Sequence, residues 1–204
     1  IAIILLAISI YLFIRKIYFK KVNNIETNLI FNKKYHLDNI IEKEILWEIY
    51  NSTFEKLNKI SPCKQSLDKH HFMEIMNKKD VTKYILSKDK SEIIGICLTT
   101  NDFTNTPWIS EDYFKVNFPN EFFQKKIYYF IGLAIKEEHR NKNYSISLIE
   151  NVIDDLPTDA IIGFDHSKNI NPLLHHFTRI VRQAKFIQRK HIDQQHYHVV
   201  YRKN

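Results

Sequence analysis

The stretch "EEHRNKNYSISLIENVI" (Glu137–Ile153) joins an apolar run to a helix-patterned run in a chain with only three glycines. The apolar run, "IYYFIGLAI" (Ile127–Ile135), is typical of a central strand covered on both faces. A helix is predicted after the polar turn, from Ser145 to Leu156. A strand that leads through a tight turn into a helix directs free backbone N–H groups and the positive end of the helix dipole at one point, where phosphate binds. The stretch therefore predicts a strand, a phosphate-binding turn and a helix.

Apolar spacing elsewhere predicts a mixed order of strands and helices. Before the stretch we expect a strand at Asn28–Tyr35, a helix within Leu37–Asn58 capped by Asp38, a helix at about Ser66–Asn77, and a hairpin of Val81–Asp89 and Glu92–Thr100. After it we expect a strand at Ala160–His166, a helix from about Pro172 to Ala184, and a last strand or hairpin at Phe186–Lys203. The aromatic-rich segment Asn101–Lys126 has no clean periodicity and is predicted to be a long loop.

Composition bounds the class of protein. With 204 residues, 44% of them hydrophobic, the chain can bury one good core and is too short for two ordinary domains. A net charge of +7 favours anionic partners such as nucleic acid, phosphorylated cofactors or acidic lipid. Nucleic-acid binding rests on this charge alone, because no helix-turn-helix or RNP-like signature is present. Cys63 and Cys97 lie far apart without a CxxC or CxxH neighbour, which argues against a disulfide framework or a zinc ribbon and fits a reducing compartment.

The N-terminal residues differ from the rest of the chain. "IAIILLAISIYLFI" (Ile1–Ile14) carries no charge, and the basic segment Arg15–Val22 follows it. We interpret residues 1–22 as a membrane anchor that continues upstream of Ile1, with the cations keeping the domain that follows in the cytoplasm. Two alternatives are a cleaved signal peptide, whose cations should precede the apolar run, and a first helix packed on the domain, which should have a polar face.

The residues around the turn resemble a known family. "LAIKEEHRNKNYSISLI" resembles the acyl-CoA-binding motif of the GNAT superfamily of N-acyltransferases, in which an apolar strand is followed by a turn of the form Arg/Gln-x-x-Gly-x-Gly/Ala. Arg140 stands at the first motif position, Asn143 at the first glycine and Ser145 at the second small position. "NPLLHHF" (Asn171–Phe177) and "QAKFIQ" (Gln183–Gln188) extend the likeness. It implies an α/β (α+β) fold over residues 28–204, with a mixed central sheet flanked by helices, preceded here by an N-terminal apolar helix.

The resemblance also implies a co-substrate site for acetyl-CoA or another acyl-CoA. Backbone amides of the turn would hold the diphosphate, with charge at its rim from Arg140 and Lys142, and the end of the strand would hydrogen-bond the pantetheine arm. The implied residues are Leu133, Ala134, Ile135, Arg140, Asn141, Lys142, Asn143, Tyr144, Ser145 and Asn171. Asparagine is the residue after glycine that best tolerates a left-handed backbone, so we expect Asn143 to preserve the turn.

Acyl transfer to an amine needs a base for the amine proton and an acid for the departing thiolate. Asp165 and His166 follow the strand that borders the expected cleft, and Tyr129 lies on the motif strand, so these three are the candidate catalytic residues. The alternative reading makes Asp165 a turn residue, His166 a surface histidine and Tyr129 a packing residue. No spacing among the ten histidines indicates a metal site, and no metal is expected.

Two functions follow from these residues. The first is an acyl-CoA-dependent N-acyltransferase that acts on an amine of a small molecule or protein. The second is a catalytically weak or inactive relative that binds a partner or CoA without turnover. Loss of both motif glycines favours the second, as does Phe177, which lies near the place of the family's frequent general-acid tyrosine and cannot donate a proton. The aromatic segment is expected to wall an acyl or acceptor pocket, or else to form a buried flap.

Overall fold

The computed structural model describes residues 28–61, 66–89, 91–140, 142–166 and 191–194. Several predictions lie outside the described residues: the membrane anchor at residues 1–22, Asn141, Asn171, Phe177, the helix from about Pro172 to Ala184, and all of the last element at Phe186–Lys203 except residues 191–194. Residues 191–194 are in no helix or strand. The described strands are β1 (Leu29–Lys34), β2 (Val81–Lys88), β3 (Glu92–Thr100), β4 (Ile127–Ile135) and β5 (Ile161–Gly163). The described helices are α1 (Ile40–Ile60), α2 (Lys69–Asn77), α3 (Glu111–Asn117), α4 (Pro119–Phe123) and α5 (Tyr144–Asp155), with 3-10 turns at Phe103–Asn105 and Glu137–His139.

The five strands form one mixed sheet in the order β1-β2-β3-β4-β5. Strands β1 to β4 pair antiparallel, and β5 pairs parallel to β4 after the crossover through α5. β4 lies between β3 and β5, as expected of its apolar run. The mixed sheet flanked by helices confirms the predicted fold class for this part of the chain.

Both faces of the sheet are buried, each under its own helices. On one face α1 and α2 cover a core that includes Leu46, Ile49, Tyr50, Phe72, Met76, Ile85, Ile96 and Leu98. On the other face α5 covers a second core that includes Tyr84, Leu86, Ile94, Cys97, Phe130, Leu148, Ile149 and Val152. Because β4 contributes to both cores, its position is fixed from two sides, and so is the turn that follows it.

The start of α1 differs from the prediction. Asn39, not Asp38, caps this helix, since its Oδ1 accepts hydrogen bonds from the backbone N–H groups of Ile41 and Glu42 at 2.9 and 3.2 Å. Asp38 bonds instead to the His36 ring at 2.7 Å. Ile40 and Ile41, read from the sequence as part of the apolar face, are exposed, because the helix buries the stripe that contains Leu46, Ile49 and Tyr50.

Two further predicted elements are corrected. α2 begins at Lys69 rather than Ser66, because Asp68 caps it by accepting from the His71 N–H at 2.9 Å. The strand predicted at Ala160–His166 pairs only over Ile161–Gly163. Among the described residues, no helix is both long and apolar enough to cross a membrane.

The segment Asn101–Lys126 is not the long loop that its sequence predicts. It folds into a 3-10 turn and the helices α3 and α4, which begin at a Ser110 cap and at Pro119. The two helices have seven and five residues, too few for apolar spacing to reveal a periodicity. Its aromatic rings pack on one another around Ile127, at the start of β4. The segment is therefore a small aromatic layer at one end of the strand that leads to the turn.

A buried lysine on β2 joins the sheet to α2 and to the segment before α1. Lys83 is fully buried, and its ammonium donates to the carbonyls of Tyr35 at 3.1 Å, Val81 at 2.7 Å and Lys78. Burial lowers the pKa of Lys83 to about 8. The ammonium donates to three carbonyl groups from separate parts of the chain, so we infer that it holds this corner of the fold together.

Replacing Lys83 by methionine is expected to lower the free energy of unfolding by about 2–4 kcal/mol at pH 7, because buried carbonyls lose their donor. The pH dependence gives a second readout. The native pKa of about 8 lies below the usual 10.5, so between these values the unfolded state binds more protons and stability rises with pH. From pH 7 to 9.5 wild type should gain about 2 kcal/mol relative to Lys83→Met. Burial raises the pKa of Cys97 and of Tyr50, which lowers stability with rising pH, but it does so equally in both proteins.

Urea denaturation at the two pH values measures both effects. The Lys83→Met variant should lose most of the rise, whereas the matched variant Lys59→Met, at an exposed position on α1, should keep it and unfold like wild type. A stability difference between wild type and Lys83→Met that does not change from pH 7 to 9.5, or a Lys83→Met variant as stable as wild type at pH 7, would show that the buried ammonium has no such role.

Candidate functional site

The turn between β4 and α5 has the left-handed backbone that its sequence predicts. Asn143 has φ 63° and ψ 10° and directly precedes α5, which begins at Tyr144. Its carbonyl accepts the N–H groups of Ile146 and Ser147 at 2.9 and 3.1 Å. The first backbone amides of a helix have no acceptor within it, so those that follow Asn143 are directed outward at the helix start. The side chains of Lys142 and Asn143 are exposed, whereas the Tyr144 ring is buried in the core.

Arg140 fixes the approach to the turn from the side of α1. Its Nε donates to the Ile135 carbonyl at 3.0 Å, and a terminal nitrogen donates to Thr53 Oγ1 at 3.1 Å. The guanidinium therefore links the end of β4, the middle of α1 and the turn. That Arg140 adds positive charge beside a bound diphosphate stays a prediction. The side chain of Lys142, two residues later, is exposed.

A second group of charges fixes the turn from the side of β3. The Lys136 ammonium lies 2.8 Å from Glu92 and 2.7 Å from Glu138, and the buried His139 ring lies 3.2 Å from Glu92. Hydrogen bonds from Lys136 and His139 lower the pKa of Glu92. Glu92, Glu138 and His139 lie close enough to hold a metal ion, but the Lys136 ammonium already pairs with both carboxylates. We therefore interpret the group as an ion-pair network that positions the turn.

β4 and β5 separate after three paired residues. Ile127–Tyr129 pairs with Ile161–Gly163, and beyond Tyr129 the edge of β4 that faces β5 has no ladder partner in the described part of the chain. On its other edge β4 carries a bulge, since Thr99 and Leu98 pair with Phe130 and Gly132 and skip Ile131. A bulge bends its strand. The result is a gap that opens from Tyr129 toward the turn.

The phase of the β3–β4 ladder shows which backbone groups face this gap. Lys136 N–H donates to the Ile94 carbonyl at 2.8 Å, so these two residues form a hydrogen-bonded pair. Pairs alternate along an antiparallel ladder, which directs the polar groups of Ala134 to β3 and those of Leu133 and Ile135 away from it. The Ile135 carbonyl is taken by Arg140, in agreement with this phase. Of the three predicted pantetheine-binding residues, Leu133 and Ile135 thus have main-chain groups that face the gap.

Two of the three candidate catalytic residues meet where the strands separate. The Tyr129 hydroxyl donates a short hydrogen bond to Asp165 Oδ1. Tyr129 is buried and Asp165 is exposed, so the contact joins the interior of the sheet to its surface. His166 is exposed, with its ring 6.5 Å from that of Phe164, and takes no part in this contact.

The aromatic layer packs directly against this pair. Gly163 lies beside Tyr129 in the parallel ladder, and a Cβ added at Gly163 would lie 3.1 Å from the Tyr129 ring and 3.9 Å from Phe114. A side chain here would displace one of these rings. The sequence indicated that the aromatic segment could wall a pocket but did not single out Phe114 within it, and it gave no indication of Thr53. Both reach the site through tertiary contacts that carry no local signal.

Comparisons with known proteins give likenesses of structure only. No family model and no curated protein matches the sequence. An aminoglycoside acetyltransferase from an uncultured soil metagenomic sample, solved in complex with sisomicin, matches with a TM-score of 0.53 at 13% identity, covering 84% of this chain and 96% of that chain. The ribosomal-protein-alanine N-acetyltransferase of Brucella melitensis biovar Abortus 2308 matches with a TM-score of 0.50 at 8% identity, covering 85% and 99%.

At such low identities the likeness bears on the fold. The matches span nearly the full length of both acetyltransferases. The mixed sheet, the bulged β4 and the β4-turn-α5 unit are observed in this chain independently of the matches. The part of the chain that the structure describes has a GNAT-like fold, as the sequence resemblance predicts.

Proposed function

We propose that the protein is an acyl-CoA-dependent N-acyltransferase that moves an acyl group, most simply acetyl, directly from coenzyme A to an amine. The observation that carries this proposal is one continuous path on β4, from the Tyr129–Asp165 pair along the open edge to the left-handed turn at Asn143. An acyl-CoA molecule would lie along this whole path, with its diphosphate at the turn and its thioester at the Tyr129–Asp165 pair.

The co-substrate would be held mainly by backbone. Amides of the turn from Asn141 to Ser145 bind the diphosphate at the positive end of α5, and the exposed Lys142 adds charge beside it. The main chain of Leu133 and the N–H of Ile135 bind the pantetheine arm, because Arg140 already bonds to the Ile135 carbonyl. Asn171 is a further binding residue by the family resemblance. Because the gap narrows toward Tyr129, the thioester would lie next to the Tyr129–Asp165 pair.

The pair can move the protons that direct transfer requires. The neutral amine attacks the thioester carbonyl, the C–N bond forms, and the C–S bond breaks to release the thiolate. Asp165 accepts the proton that the amine nitrogen loses, and the Tyr129 hydroxyl protonates the thiolate. The hydrogen bond between the two side chains returns the proton from Asp165 to Tyr129, so one proton passes from amine to thiol.

A second candidate is a non-catalytic relative that binds CoA or a protein partner. One observation favours it: Asn143 and Ser145 stand where the family motif has glycine and a small residue, and a Cβ at such positions keeps the backbone farther from phosphate. The exposed Val116 and Phe123 on α3 and α4 offer an apolar surface for such a partner.

Thiol release from acetyl-CoA, measured across a panel of amines with the full chain, separates the two candidates. Turnover that depends on the amine supports the acyltransferase. Saturable CoA binding without thiol release on any amine supports a non-catalytic relative that binds CoA. The absence of CoA binding by the folded protein contradicts the acyltransferase and leaves only a relative that binds a protein partner.

A further inference from the structure

Three side chains that can bind a metal ion meet on the exposed side of α2. His70, His71 and Glu74 each offer one ligand atom, and these three atoms lie within 4.8 Å of one another. The helix packs its apolar stripe against the core, so all three side chains project into solvent, where an ion can reach them. The sequence predicted no metal site, because the spacing of the histidines matches no known ligand pattern. Their convergence is a feature of the folded helix.

The helical spacing accounts for this convergence. Glu74 follows His71 by three positions and His70 by four, and residues three and four apart are neighbours on a helix surface. His70 Nδ1 lies 3.8 Å from the Glu74 carboxylate, which is longer than a hydrogen bond. The two imidazole rings lie edge to face, with their centroids 5.6 Å apart. Both rings therefore gather around one carboxylate, and a small movement of these side chains can place an ion between them.

No ammonium group of the described residues competes for this position. Lys69, which precedes the two histidines, pairs instead with Glu44 of α1 at 2.7 Å. In the part of the chain that the structure describes, Glu74 pairs with no lysine or arginine. The ion-pair network at the turn differs in this respect, because Lys136 pairs there with both carboxylates. The group on α2 thus combines a carboxylate with two imidazoles and without a lysine partner of its own.

Asp68 orients one of the two imidazoles. Its Oδ2 lies 2.9 Å from His71 Nδ1, and a carboxylate can only accept, so Nδ1 carries the proton. Nε2 of His71 then has the lone pair that a metal ion needs. A carboxylate behind a ligating histidine is the common outer partner at zinc sites. Asp68 is itself fixed as the N-cap of α2, so it holds the ring from a defined point.

We infer that His70, His71 and Glu74 bind a divalent transition-metal ion, most simply Zn²⁺, with water at the remaining coordination position. Two imidazole nitrogens and one carboxylate oxygen form a ligand set that suits zinc. Bond lengths of about 2.0–2.2 Å in a tetrahedral site place ligand atoms about 3.4 Å apart. Rotation of the exposed side chains can close the three atoms to that separation. The inference does not depend on the proposed acyl transfer.

Calorimetric titration of the chelator-treated full chain with Zn²⁺ alone tests this site. Because the chain has ten histidines, the site is identified from the difference between wild type and variants. His71→Gln and Glu74→Gln should each weaken the binding of one zinc ion per chain at least about tenfold, since even the loss of an outer partner costs about 10–100-fold. Mg²⁺ at the same concentrations should not bind, because it prefers oxygen ligands in an octahedral arrangement.

Matched variants show whether the effect belongs to α2. His191→Gln and Glu55→Gln remove an exposed histidine and an exposed glutamate outside this helix, and both should keep the wild-type zinc affinity. Asp68→Asn tests the positioning role of Asp68. Asparagine also caps helices, so thermal unfolding without metal should be unchanged, whereas zinc binding should weaken about tenfold because the His71 ring loses its carboxylate partner.

The outcomes are separable from those of the acyltransferase test. Equal zinc affinity and stoichiometry in wild type, His71→Gln and Glu74→Gln overturn the metal site. Mg²⁺ binding as tight as that of Zn²⁺ also overturns it, because oxygen atoms alone would then account for the bound ion. Unchanged zinc affinity in Asp68→Asn overturns the positioning role of Asp68. None of these results bears on acyl transfer, which is measured with acetyl-CoA.

Discussion

Replacing Asn143 by valine is expected to weaken acetyl-CoA binding at least about tenfold. The residue has φ 63°, a left-handed conformation that β-branched side chains avoid at a cost of about 1–3 kcal/mol. The turn must then either keep the strain or move, and movement redirects the amides at the start of α5. Asn143→Gly should bind at least as well as wild type, because glycine adopts this backbone without a Cβ near the phosphates. Isothermal titration of acetyl-CoA measures both.

A matched control separates the effect of backbone strain on stability from the effect of the Asn143 turn on acetyl-CoA binding. Asp89 has φ 53° in the hairpin between β2 and β3, away from the turn, so Asp89→Val carries a similar backbone strain. Both valine variants should lower the free energy of unfolding by about 1–3 kcal/mol, but only Asn143→Val should lose affinity. Equal losses of affinity in the two variants, or none in either, would mean that the Asn143 turn is not the binding element.

Removing either member of the Tyr129–Asp165 pair is expected to lower kcat by about 10²–10³-fold, within the usual range for a general acid or base. Tyr129→Phe removes the hydroxyl that we propose protonates the thiolate, and Asp165→Asn removes the carboxylate that we propose accepts the amine proton. Because the two act through one hydrogen bond, the double variant should be little slower than the slower single variant. The KM for acetyl-CoA should change little, since the diphosphate is bound at the other end of β4.

Steady-state thiol release with each variant gives these constants. Tyr128→Phe is the control, because Tyr128 precedes Tyr129 on β4 and its side chain points to the opposite face. Independent, multiplicative losses in the double variant would show that the residues do not act as a pair. Unchanged kcat in both single variants would place the chemistry elsewhere, and His166 would then be the next residue to replace.

The sequence predicted the elements that one strong local signal defines. The bounds of β4 match the apolar run Ile127–Ile135. The predicted hairpin is confirmed, since β2 and β3 pair antiparallel on either side of the charged turn. The left-handed backbone of Asn143 follows from the residue type in a turn that the family builds with glycine. The start of α1 was missed because Asp38 and Asn39 are both good caps, and only the helix's tertiary contacts select between them.

The candidate site was predicted as separate residues but not as an arrangement. Tyr129 and Asp165 were each chosen from their place on a strand, whereas their contact depends on the parallel register that pairs Tyr129 with Gly163. No local pattern encodes that register. The same holds for the Arg140 guanidinium, which bonds to Ile135 and Thr53. Hydrogen bonds between residues far apart in sequence are decided by packing. The aromatic segment was expected to wall a pocket or to form a buried flap, but its two short helices and their packing around Ile127 emerged only from the structure.

The most direct test of the central claim compares acetyl-CoA with S-acetylpantetheine, which has the same thioester arm but no diphosphate, by calorimetric titration of the full chain. If the turn at Asn143 cradles a diphosphate, acetyl-CoA should bind with one site per chain and S-acetylpantetheine about a hundredfold more weakly, the loss expected when charge-assisted hydrogen bonds to phosphate are removed. Equal affinities for the two ligands, or no binding of acetyl-CoA to the folded protein, would contradict the claim.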